Sequence, residues 1–367
     1  MTKRVLVLGG YGNFGRFICQ ELAEDPNIQL LVAGRTMDKA RAFVGTLPAS
    51  GAPSPVQLDV GDGLAQALQT LEPDIVINTV GPFQNQSYDV PKTCIEAGSH
   101  YIDLADGREF VANISELNTK ANSKGVCIIS GASSVPALSA AVIDRYLPHF
   151  DQLESVDYGI STAQHTTRGL ATTQAVLSYA GKPIQTRVDG TDKQVFGWQD
   201  IRAHNFEGLG RRWLSNCDVP DLTLFPTSYP SLQSIRFYAG LELAVQQWGV
   251  WFLSWLVRIG LITNMANWAS ALLKASFLFD RFGGDESAFF MTLNGRGLGG
   301  AAKSMTFELI ARSGHGPLIP CMPAILLAKR LAAREELKPG AYPCTGLISL
   351  EQYLEALEDL DISWRAQ

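Results

Sequence analysis

The chain has 367 residues, a formal net charge of −6 and a pI near 5.5, and it is long enough for two domains with separate cores. Its acidic balance argues against a general nucleic-acid-binding protein, which is usually basic. The six cysteines and five histidines are dispersed without metal-ligand spacing, which predicts free thiols and no metal site. The first residues lack the apolar run of a signal peptide, and we expect a cytoplasmic location.

A glycine-rich turn follows the first predicted strand, which spans residues 4–8. The turn has the pattern G-x-G-x-x-G, and a helical pattern begins at its end. Gly10 permits the tight turn, Gly12 lets backbone approach a pyrophosphate, and Gly15 lets the helix lie close to the strand. The N–H groups and the positive end of the helix dipole suit phosphate. This context predicts dinucleotide binding; a purely structural turn between strand and helix is the alternative.

The residues after the second predicted strand, 29–33, indicate which dinucleotide binds. An NAD site usually carries an acidic residue there, which accepts hydrogen bonds from the ribose hydroxyls. This chain instead has Arg35, with Thr36 beside it, and a guanidinium pairs with a 2′-phosphate through two parallel hydrogen bonds. NADP is therefore favoured over NAD. The alternative is that Arg35 is solvated and that Asp38 serves the ribose of NAD.

Strand and helix patterns alternate through roughly the first third of the chain. Further strands are predicted at residues 57–60, 75–78, 100–103 and 126–129, and helices at 62–71, 87–97 and 110–123. This alternation predicts a doubly wound parallel α/β sheet. Beyond it the pattern changes to strand-like runs at 153–161 and around Val195 and Arg236, helices at 170–180 and 324–335, and a hairpin formed by 288–294 and 304–311. Such a pattern predicts an antiparallel or mixed sheet.

Residues 241–282 are dense in large apolar side chains, including Trp248, Trp251, Trp255 and Trp268. Charged and amide side chains interrupt the apolar runs, which are shorter than the about twenty apolar residues of a bilayer span. We predict two antiparallel helices broken near residues 260–264, buried or at a subunit interface. Peripheral membrane contact is the first alternative and a membrane span the second.

The loops after the fourth, fifth and sixth predicted strands carry polar and glycine residues. Ligands of an open α/β sheet bind outside the carboxyl ends of its strands, so these loops should line the nicotinamide. Gly81 and Pro82 would place backbone against the cofactor, and Asp59 is expected to meet the adenine. Ordinary turn chemistry is the alternative for each. The cofactor residues predicted in these loops are Val80, Gly81, Pro82, Asp103 and Gly131.

Several motifs match those of a known family. They are VLVLGGYGNFGR at 5–16, VAGR at 32–35, NTVGPF at 78–83, CIEAGSHYIDLADG at 94–107, GASSVPALS at 131–139, HGPLIPCMPAILLAKRL at 315–331 and GAYPCTGL at 340–347. On these motifs the chain resembles the saccharopine dehydrogenase-like family. The resemblance implies a Rossmann domain at 1–135 and 318–367, and a mixed α/β substrate and dimerisation domain at 136–317. It also implies NADP contacts from Gly10, Gly12, Asn13, Phe14, Gly15, Arg35, Asp59, Gly81 and Pro82, with the Asp103 loop near the nicotinamide.

Hydride transfer needs a proton donor or acceptor near the reacting bond. The candidates are Tyr88, Asp106 and His165. Tyr88 and Lys92 also form a Tyr-x-x-x-Lys pair, which follows the wrong strand for a short-chain dehydrogenase and contains a proline. Packing is the alternative role of Tyr88. A role outside proton transfer is likewise the alternative for His165.

Three arginines are candidates for holding a substrate carboxylate: Arg168, Arg211 and Arg212. Solvated surface arginines are the alternative. The sequence thus predicts an NADP-dependent oxidoreductase, a homodimer, that transfers hydride to or from a C=O, C=N or activated C=C bond of a small molecule. A protein that binds NADP without turnover, as a redox-sensing or membrane-associated interaction module, is the alternative from a different class.

Overall fold

The computed structural model describes residues 2–335 and 337–367, which form two compact units. The first unit contains residues 1–138 and 318–348, and the second contains 139–317 and 349–367. The strands are β1 (Lys3–Leu8), β2 (Ile28–Gly34), β3 (Ser54–Gln57), β4 (Ile75–Asn78), β5 (His100–Asp103), β6 (Cys127–Ser130), β7 (Phe150–Thr162), β8 (Pro183–Val188), β9 (Thr191–Phe196), β10 (Arg202–Phe206), β11 (Gly210–Asn216), β12 (Ser234–Leu241), β13 (Ser287–Gly297), β14 (Ala302–Ala311), β15 (Gly340–Pro343) and β16 (Ile362–Ala366).

Helices connect most of these strands. They are α1 (Gly15–Leu22), α2 (Met37–Val44), α3 (Leu64–Leu71), α4 (Asp89–Ala97), α5 (Arg108–Ala112), α6 (Asn118–Lys124), α7 (Ser139–Tyr146), α8 (Leu170–Ser178), α9 (Asp221–Ser228), α10 (Ala244–Arg258), α11 (Ala269–Ser276), α12 (Leu318–Ala332) and α13 (Leu350–Glu355). Short 3₁₀ turns precede α6 and flank α11.

The first unit is built on a parallel sheet with the strand order β15-β6-β5-β4-β1-β2-β3. Its central strands are continuous apolar runs, and β1 is fully buried from Val5 to Leu8. Such runs are typical of parallel strands that helices cover on both faces. The order reverses direction on either side of β1, as in a doubly wound fold. The predicted α/β fold class is therefore confirmed.

The edge of this sheet differs from the prediction. The third strand, expected at residues 57–60, is β3 at Ser54–Gln57, inside the proline- and glycine-rich stretch that resembles a loop. Pro55 is tolerated there because β3 pairs only with β2, and an edge strand does not need every N–H group. The helix predicted at 110–123 is divided into α5, a 3₁₀ turn and α6.

The second unit is built on a mixed sheet with the strand order β10-β11-β12-β7-β13-β14-β16, to which β8 and β9 add a hairpin. Its centre is β7, which pairs parallel with β12 and antiparallel with β13. The predicted hairpin is β13 and β14, which pair from Ser287 and Ala311 to Arg296 and Ala302. The mixed sheet predicted for this part of the chain is confirmed.

The C-terminal segment is divided between the units. Residues 318–348 supply α12 and β15 to the first unit, whereas 349–367, which we assigned to the same domain from the sequence, belong to the second. Two local features explain the difference. Ser349 and Gln352 form a capping box that starts α13, and β16 pairs antiparallel with β14. A short strand at the end of a chain has little sequence signal until its partner is known.

The two apolar helices predicted in residues 241–282 are α10 and α11, separated by residues 259–268. Four large side chains of α10 are exposed, namely Val245, Trp248, Phe252 and Trp255, and the other large apolar side chains of both helices are partly buried. Full burial within the unit is therefore wrong for α10, and the subunit interface stays a prediction. None of the described helices is both long enough and apolar enough to cross a bilayer.

Candidate functional site

The glycine-rich turn joins β1 to α1 through backbone that leaves no room for side chains. Gly9 lies in the left-handed region with φ +74°, and the Gly12 N–H donates to the Gly9 carbonyl at 2.8 Å. A Cβ on Gly12 would lie 2.9 Å from the Gly9 oxygen, and one on Gly15 would lie 2.8 Å from the Gly10 Cα. Side chains are thus excluded at both positions. Gly12 itself is exposed.

The first turn of α1 has no side-chain cap, because Phe14 occupies the N-cap position. Two N–H groups of this turn are bound within the chain: the Arg16 N–H donates to the Gly12 carbonyl and the Phe17 N–H to the Phe14 carbonyl, each at 3.1 Å. The positive end of the helix dipole favours a phosphate group here. The glycine-rich turn and the start of α1, which has no side-chain cap, therefore fit the pyrophosphate of a dinucleotide. Asn13 and Phe14, implied as contacts by the resemblance, lie at this helix start and are partly exposed.

The end of β2 fits a 2′-phosphate better than a free ribose. Arg35 and Thr36 are exposed directly after β2, and no acidic residue follows the strand before Asp38 in the first turn of α2. The Arg35 carbonyl accepts from the Gln57 side chain at 3.3 Å, so backbone contact leaves the guanidinium in solvent. This placement agrees with a role for Arg35 and Thr36 in NADP binding, and Asp38 stays the alternative for NAD.

Tyr11, which the sequence analysis did not select, connects these two loops. Its hydroxyl accepts the Thr36 N–H at 3.0 Å. Its ring lies against Gly34, where an added Cβ would come within 2.7 Å of the Tyr11 oxygen. The ring therefore fills the space over the end of β2 and fixes the backbone of the 35–36 loop. The sequence signal is an aromatic residue at the second position of the glycine pattern, together with a glycine at the end of the next strand.

The loop after β4 folds back on the end of β1. The Thr79 hydroxyl donates to the Leu8 carbonyl at 2.8 Å, and the Val80 N–H donates to the Asn78 side chain at 3.0 Å. The Gln86 side chain donates to the Pro82 carbonyl at 2.7 Å. These bonds hold the loop, and Val80, Gly81 and Pro82 are left half-buried.

Asp103 is buried at the end of β5, where its carboxylate accepts hydrogen bonds from residues after β5 and at the end of β6. Its Oδ1 accepts the Gly131 N–H at 2.8 Å, the Ala105 N–H at 2.9 Å and the Ser130 hydroxyl at 3.0 Å. Burial raises the pKa of Asp103 to about 6, although these donors act in the opposite direction. Asp103 is fully buried, so it shapes the loops after β5 and β6. Gly131 adopts φ +77° beside it, a conformation that favours glycine.

The strand register brings these groups to one edge of the sheet. Leu8 is paired with Ala33 on β2 and with Asn78 on β4, and Asn78 is paired with Asp103 on β5. The carboxyl ends of β1, β2, β4 and β5 are therefore level, as ligand sites of such sheets require. Asp59 lies two residues beyond β3, exposed, with its Oδ1 accepting the Gly61 N–H at 3.1 Å.

Tyr88 packs against the first unit's core. Its hydroxyl donates to the Phe110 carbonyl at 2.7 Å, and the two rings lie 4.9 Å apart. Burial, with smaller contributions from Glu116, Asp103 and Glu109, raises the pKa of Tyr88 to about 12. A Tyr-Lys catalytic pair requires a lowered pKa, so this geometry favours the packing role.

Asp106 lies in the loop after β5, half-buried, and accepts from the Gln84 side chain at 3.1 Å. A Cβ on Gly107 would lie 2.9 Å from the Phe83 carbonyl, so the loops after β4 and β5 are packed closely here. Asp106 therefore lies at the carboxyl edge of the first unit's sheet, in a loop that is packed against the loop after β4.

The candidates in the second unit belong to a braced cluster beyond the ends of β7 and β12. The Arg168 guanidinium donates to Asp280 at 2.5 Å and to the Ser276 hydroxyl at 2.9 Å. His165 Nε2 lies 2.8 Å from the Asp280 carbonyl oxygen. The Arg168 hydrogen bond lowers the pKa of Asp280. Arg168 and His165 thus already have protein partners.

The other two arginines lie in β11. Arg212 is 7% exposed and its guanidinium lies 3.5 Å from the Glu242 carboxylate. Glu242 also accepts the Gln164 N–H at 2.7 Å. Arg211 is exposed, with its guanidinium 4.9 Å from the centre of the Trp213 ring. Arg212 therefore neutralises a buried carboxylate, and Arg211 is the one of the three that faces solvent.

Thiol and metal chemistry have no support in this geometry. The six cysteines are free and buried. Burial raises the pKa of Cys19 and Cys321 far above the ordinary value. Among residues 2–335 and 337–367, no group of three or more His, Cys, Asp or Glu side chains is arranged to hold a metal ion.

Fold and site together define the first unit as a dinucleotide-binding domain. The family model of the saccharopine dehydrogenase NADP binding domain matches residues 5–129. This match confirms the resemblance seen in the sequence motifs, and it confirms NADP as the cofactor.

Curated relatives and solved structures agree with this assignment. The human saccharopine dehydrogenase-like oxidoreductase is 29% identical over 158 residues, which cover 38% of this chain and 37% of the human protein. The mouse protein of the same name is 28% identical over 150 residues, 36% of this chain and 35% of its own length. The aligned segment thus spans little more than a third of these relatives.

Two solved structures share the fold. The yeast saccharopine dehydrogenase (L-Glu forming) superposes with a TM-score of 0.68 at 14% identity and covers 100% of both chains. The amine dehydrogenase from Mycobacterium smegmatis has a TM-score of 0.52 at 13% identity, covering 93% of this chain and 94% of that one. These similarities show the fold of the whole chain.

Proposed function

We propose that this protein is an NADP-dependent oxidoreductase that transfers a hydride between the nicotinamide and a C=O, C=N or activated C=C bond of a small molecule. The supporting observation is the level carboxyl edge of the first unit's sheet, where the glycine-rich turn, the Arg35 loop and the Asp103-braced loops meet. The chemistry that NADP supplies when bound is hydride transfer.

Different residues of this chain would bind different parts of the cofactor and the substrate. The glycine turn and the start of α1 would bind the pyrophosphate, and Arg35 and Thr36 the 2′-phosphate. The loop containing Gly81 and Pro82 would present backbone to the nicotinamide end. Asp103 would keep the Gly131 loop in shape through its hydrogen bonds. Arg211 stays the candidate for holding a substrate carboxylate, since Arg168 and Arg212 are already paired with Asp280 and Glu242.

Asp106 is the proton acceptor that we propose within the first unit. It is at the carboxyl edge of the sheet, whereas the Tyr88 hydroxyl donates to a backbone carbonyl in the core. Asp106→Asn removes the acceptor and keeps the size of the side chain. It should lower kcat and leave NADPH affinity unchanged, whereas Tyr88→Phe should change stability more than kcat.

A protein that binds NADP without turnover is the second candidate. It is favoured by one observation: Tyr88 and His165 both make hydrogen bonds to backbone carbonyls of this chain. A proton-transfer group normally faces the reacting bond. Tight NADPH binding without turnover on any substrate class would support this candidate.

The test measures binding first and turnover second. NADPH and NADH are titrated into the full chain by calorimetry, and NADPH consumption is then followed with imines, carbonyl compounds and enoyl compounds. Imines come first because one protein of the same fold is an amine dehydrogenase by name. NADPH binding with turnover supports the proposal; failure to bind either nucleotide would reject it.

The homodimer and the cytoplasmic location stay predictions from the sequence. Sedimentation equilibrium of the full chain tests the first. A single species of monomer mass at micromolar concentration would contradict it.

A further inference from the structure

The outer side of α10 is a continuous stripe of large apolar side chains. Val245, Trp248, Phe252, Trp255 and Ile259 follow one another at spacings of three and four residues, so they share one side of the helix. Their exposed fractions are 60%, 39%, 58%, 38% and 63%. A helix on the surface of a water-soluble domain normally turns such a stripe toward the core.

The inner side of α10 combines apolar residues that pack on the core, Val250, Leu253 and Val257, with two buried polar residues. Gln247 and Ser254 are fully buried. The Gln247 side chain donates to the Ser215 hydroxyl at 2.9 Å and accepts the Leu241 N–H at 2.9 Å, so both ends of its amide bind the sheet. Rotating the helix to hide the apolar stripe would break these buried hydrogen bonds. The buried hydrogen bonds of Gln247 therefore keep the stripe exposed.

Exposed apolar side chains also occur in the segments after α10, which pack with it on one core cluster. Of the thirteen large apolar side chains that are exposed in the described part of the chain, ten lie between residues 245 and 282. We call these ten the apolar helical face: Val245, Trp248, Phe252, Trp255, Ile259, Leu261, Trp268, Phe277, Leu278 and Phe282. A concentrated patch of this kind marks a surface that contacts something apolar.

The charged side chains in the segment of this face are mainly basic. Residues 243–282 contain three basic side chains, Arg258, Lys274 and Arg281, and all three are exposed. The single acidic residue, Asp280, is bound to Arg168. The whole chain carries a net charge of −6, so the positive charge is local to this face. Such a rim complements an anionic surface.

We propose that the apolar helical face binds the surface of an anionic lipid bilayer, with α10 lying in the plane of the interface. Tryptophan, phenylalanine and leucine on one side with basic residues beside them are typical of interfacial helices. α10 has 15 residues and no described helix can span a bilayer, so the contact is peripheral. A second copy of the chain is disfavoured because a twofold contact would bring the basic rims together.

The experiment uses the full chain and large unilamellar vesicles. One set is phosphatidylcholine alone, and the other contains about 30 mol% phosphatidylglycerol, a lipid of the anionic class that attracts basic residues. Co-sedimentation gives the partition coefficient. All seven tryptophans lie in the second unit, so a blue shift of tryptophan emission reports burial of this unit in the lipid. We expect binding to the anionic vesicles and a blue shift.

A matched pair of variants tests the apolar part. Leu278 and Leu298 are 76% and 74% exposed, and only Leu278 belongs to the apolar helical face. Leu278→Asp should lower the partition coefficient about tenfold or more, since an aspartate is costly in the interface. Leu298→Asp should leave it unchanged. Because both leucines are exposed, neither change threatens folding, which circular dichroism checks.

A second pair tests the charge. The double variant Lys274→Glu with Arg281→Glu should lower binding to anionic vesicles by roughly tenfold or more. The control, Lys120→Glu with Lys124→Glu, changes two exposed lysines on α6 of the first unit and should have no effect. Absence of wild-type binding to the anionic vesicles would overturn the proposal. So would equal losses in target and control, or a dimer that Leu278→Asp dissociates without any lipid binding.

Discussion

The two sheets of this molecule end in contrasting ways at the carboxyl ends of their parallel strands. In the first unit the edge consists of backbone turns, with a start of α1 that has no side-chain cap and a buried acid, Asp103, that bonds only to the unit's own loops. In the second unit the ends of β7 and β12 carry the ion pairs Arg168–Asp280 and Arg212–Glu242. The first edge is formed by backbone turns, whereas the second uses its charges to brace loops.

The helices repeat this contrast. α1 buries Gly15, Ile18, Cys19 and Leu22, the apolar side that a helix on a sheet should bury. α10 buries Gln247 and Ser254 and exposes its aromatic stripe. Periodicity in the sequence thus shows that a helix has two sides. Which side faces inward depends on the partners that the fold supplies.

Replacing Gly12 should give the largest effect on the first edge. Gly12→Val places a branched side chain 2.9 Å or less from the Gly9 oxygen, where the pyrophosphate is expected. We expect NADPH affinity to fall at least about 100-fold, or roughly 3 kcal/mol, as measured by calorimetry. Gly249→Ala is the control, since a Cβ there meets no atom within 4 Å. Unchanged NADPH affinity in Gly12→Val would show that the glycine-rich turn is only structural.

Reversing the charge of Arg35 should change cofactor preference. Arg35→Asp replaces the donor for a 2′-phosphate with an acceptor for ribose hydroxyls. The ratio of NADPH to NADH affinity should fall about 100-fold, since charge-assisted pairs contribute roughly 1.5–3 kcal/mol. Arg41→Asp, an exposed charge reversal later in α2, should leave the ratio unchanged. An equal change of the affinity ratio in the two variants would mean that the net charge, not the position of Arg35, sets the cofactor preference.

The buried acid of the second unit should make stability depend on pH. Burial raises the pKa of Asp221 from 3.8 to about 7, although hydrogen bonds from Ser139 and Tyr158 oppose the shift. A raised pKa favours folding below about pH 4, and this contribution is lost as the pH rises through 7. Between about pH 4 and pH 7 the free energy of unfolding should fall less in Asp221→Asn than in the wild type, by about 2–4 kcal/mol.

Tryptophan emission during urea unfolding measures this difference for the second unit alone, because all seven tryptophans lie there. Asp192→Asn, an exposed carboxylate on β9, is the control. Parallel pH profiles of the wild type and Asp221→Asn would contradict a protonated Asp221 in the folded chain.

The smallest effect is expected from Tyr11→Phe. This change removes the acceptor of the Thr36 N–H and leaves the ring against Gly34. One hydrogen bond contributes about 0.5–1.5 kcal/mol, so NADPH affinity should fall roughly three- to tenfold, and NADH affinity less. Tyr88→Phe should leave the ratio of the two affinities unchanged. If Tyr11→Phe lowered the affinity for NADPH and for NADH equally, Tyr11 would not act through the Arg35 loop.

Parts of the candidate site were predictable because they depend on local chain geometry. The glycine turn needs residues without side chains, and the strands at 75–78 and 100–103 are short apolar runs with the bounds that the structure shows. The contact of Tyr11 with Thr36 is harder to predict, because it joins residues 25 positions apart. The pairing of Arg168 with Asp280 spans 112 positions, so the sequence left that arginine as a candidate substrate ligand.

The sequence by itself determined the doubly wound first unit, its glycine-rich turn and the preference for NADP, since each follows from side-chain size, alternation or charge within a few residues. Only the tertiary structure decided that 349–367 completes the second sheet, that Arg168 and Arg212 neutralise carboxylates, and that the stripe from Val245 to Ile259 on α10 faces outward. These outcomes depend on hydrogen bonds and ion pairs between distant residues, whose energies exist only once folding has brought the partners together.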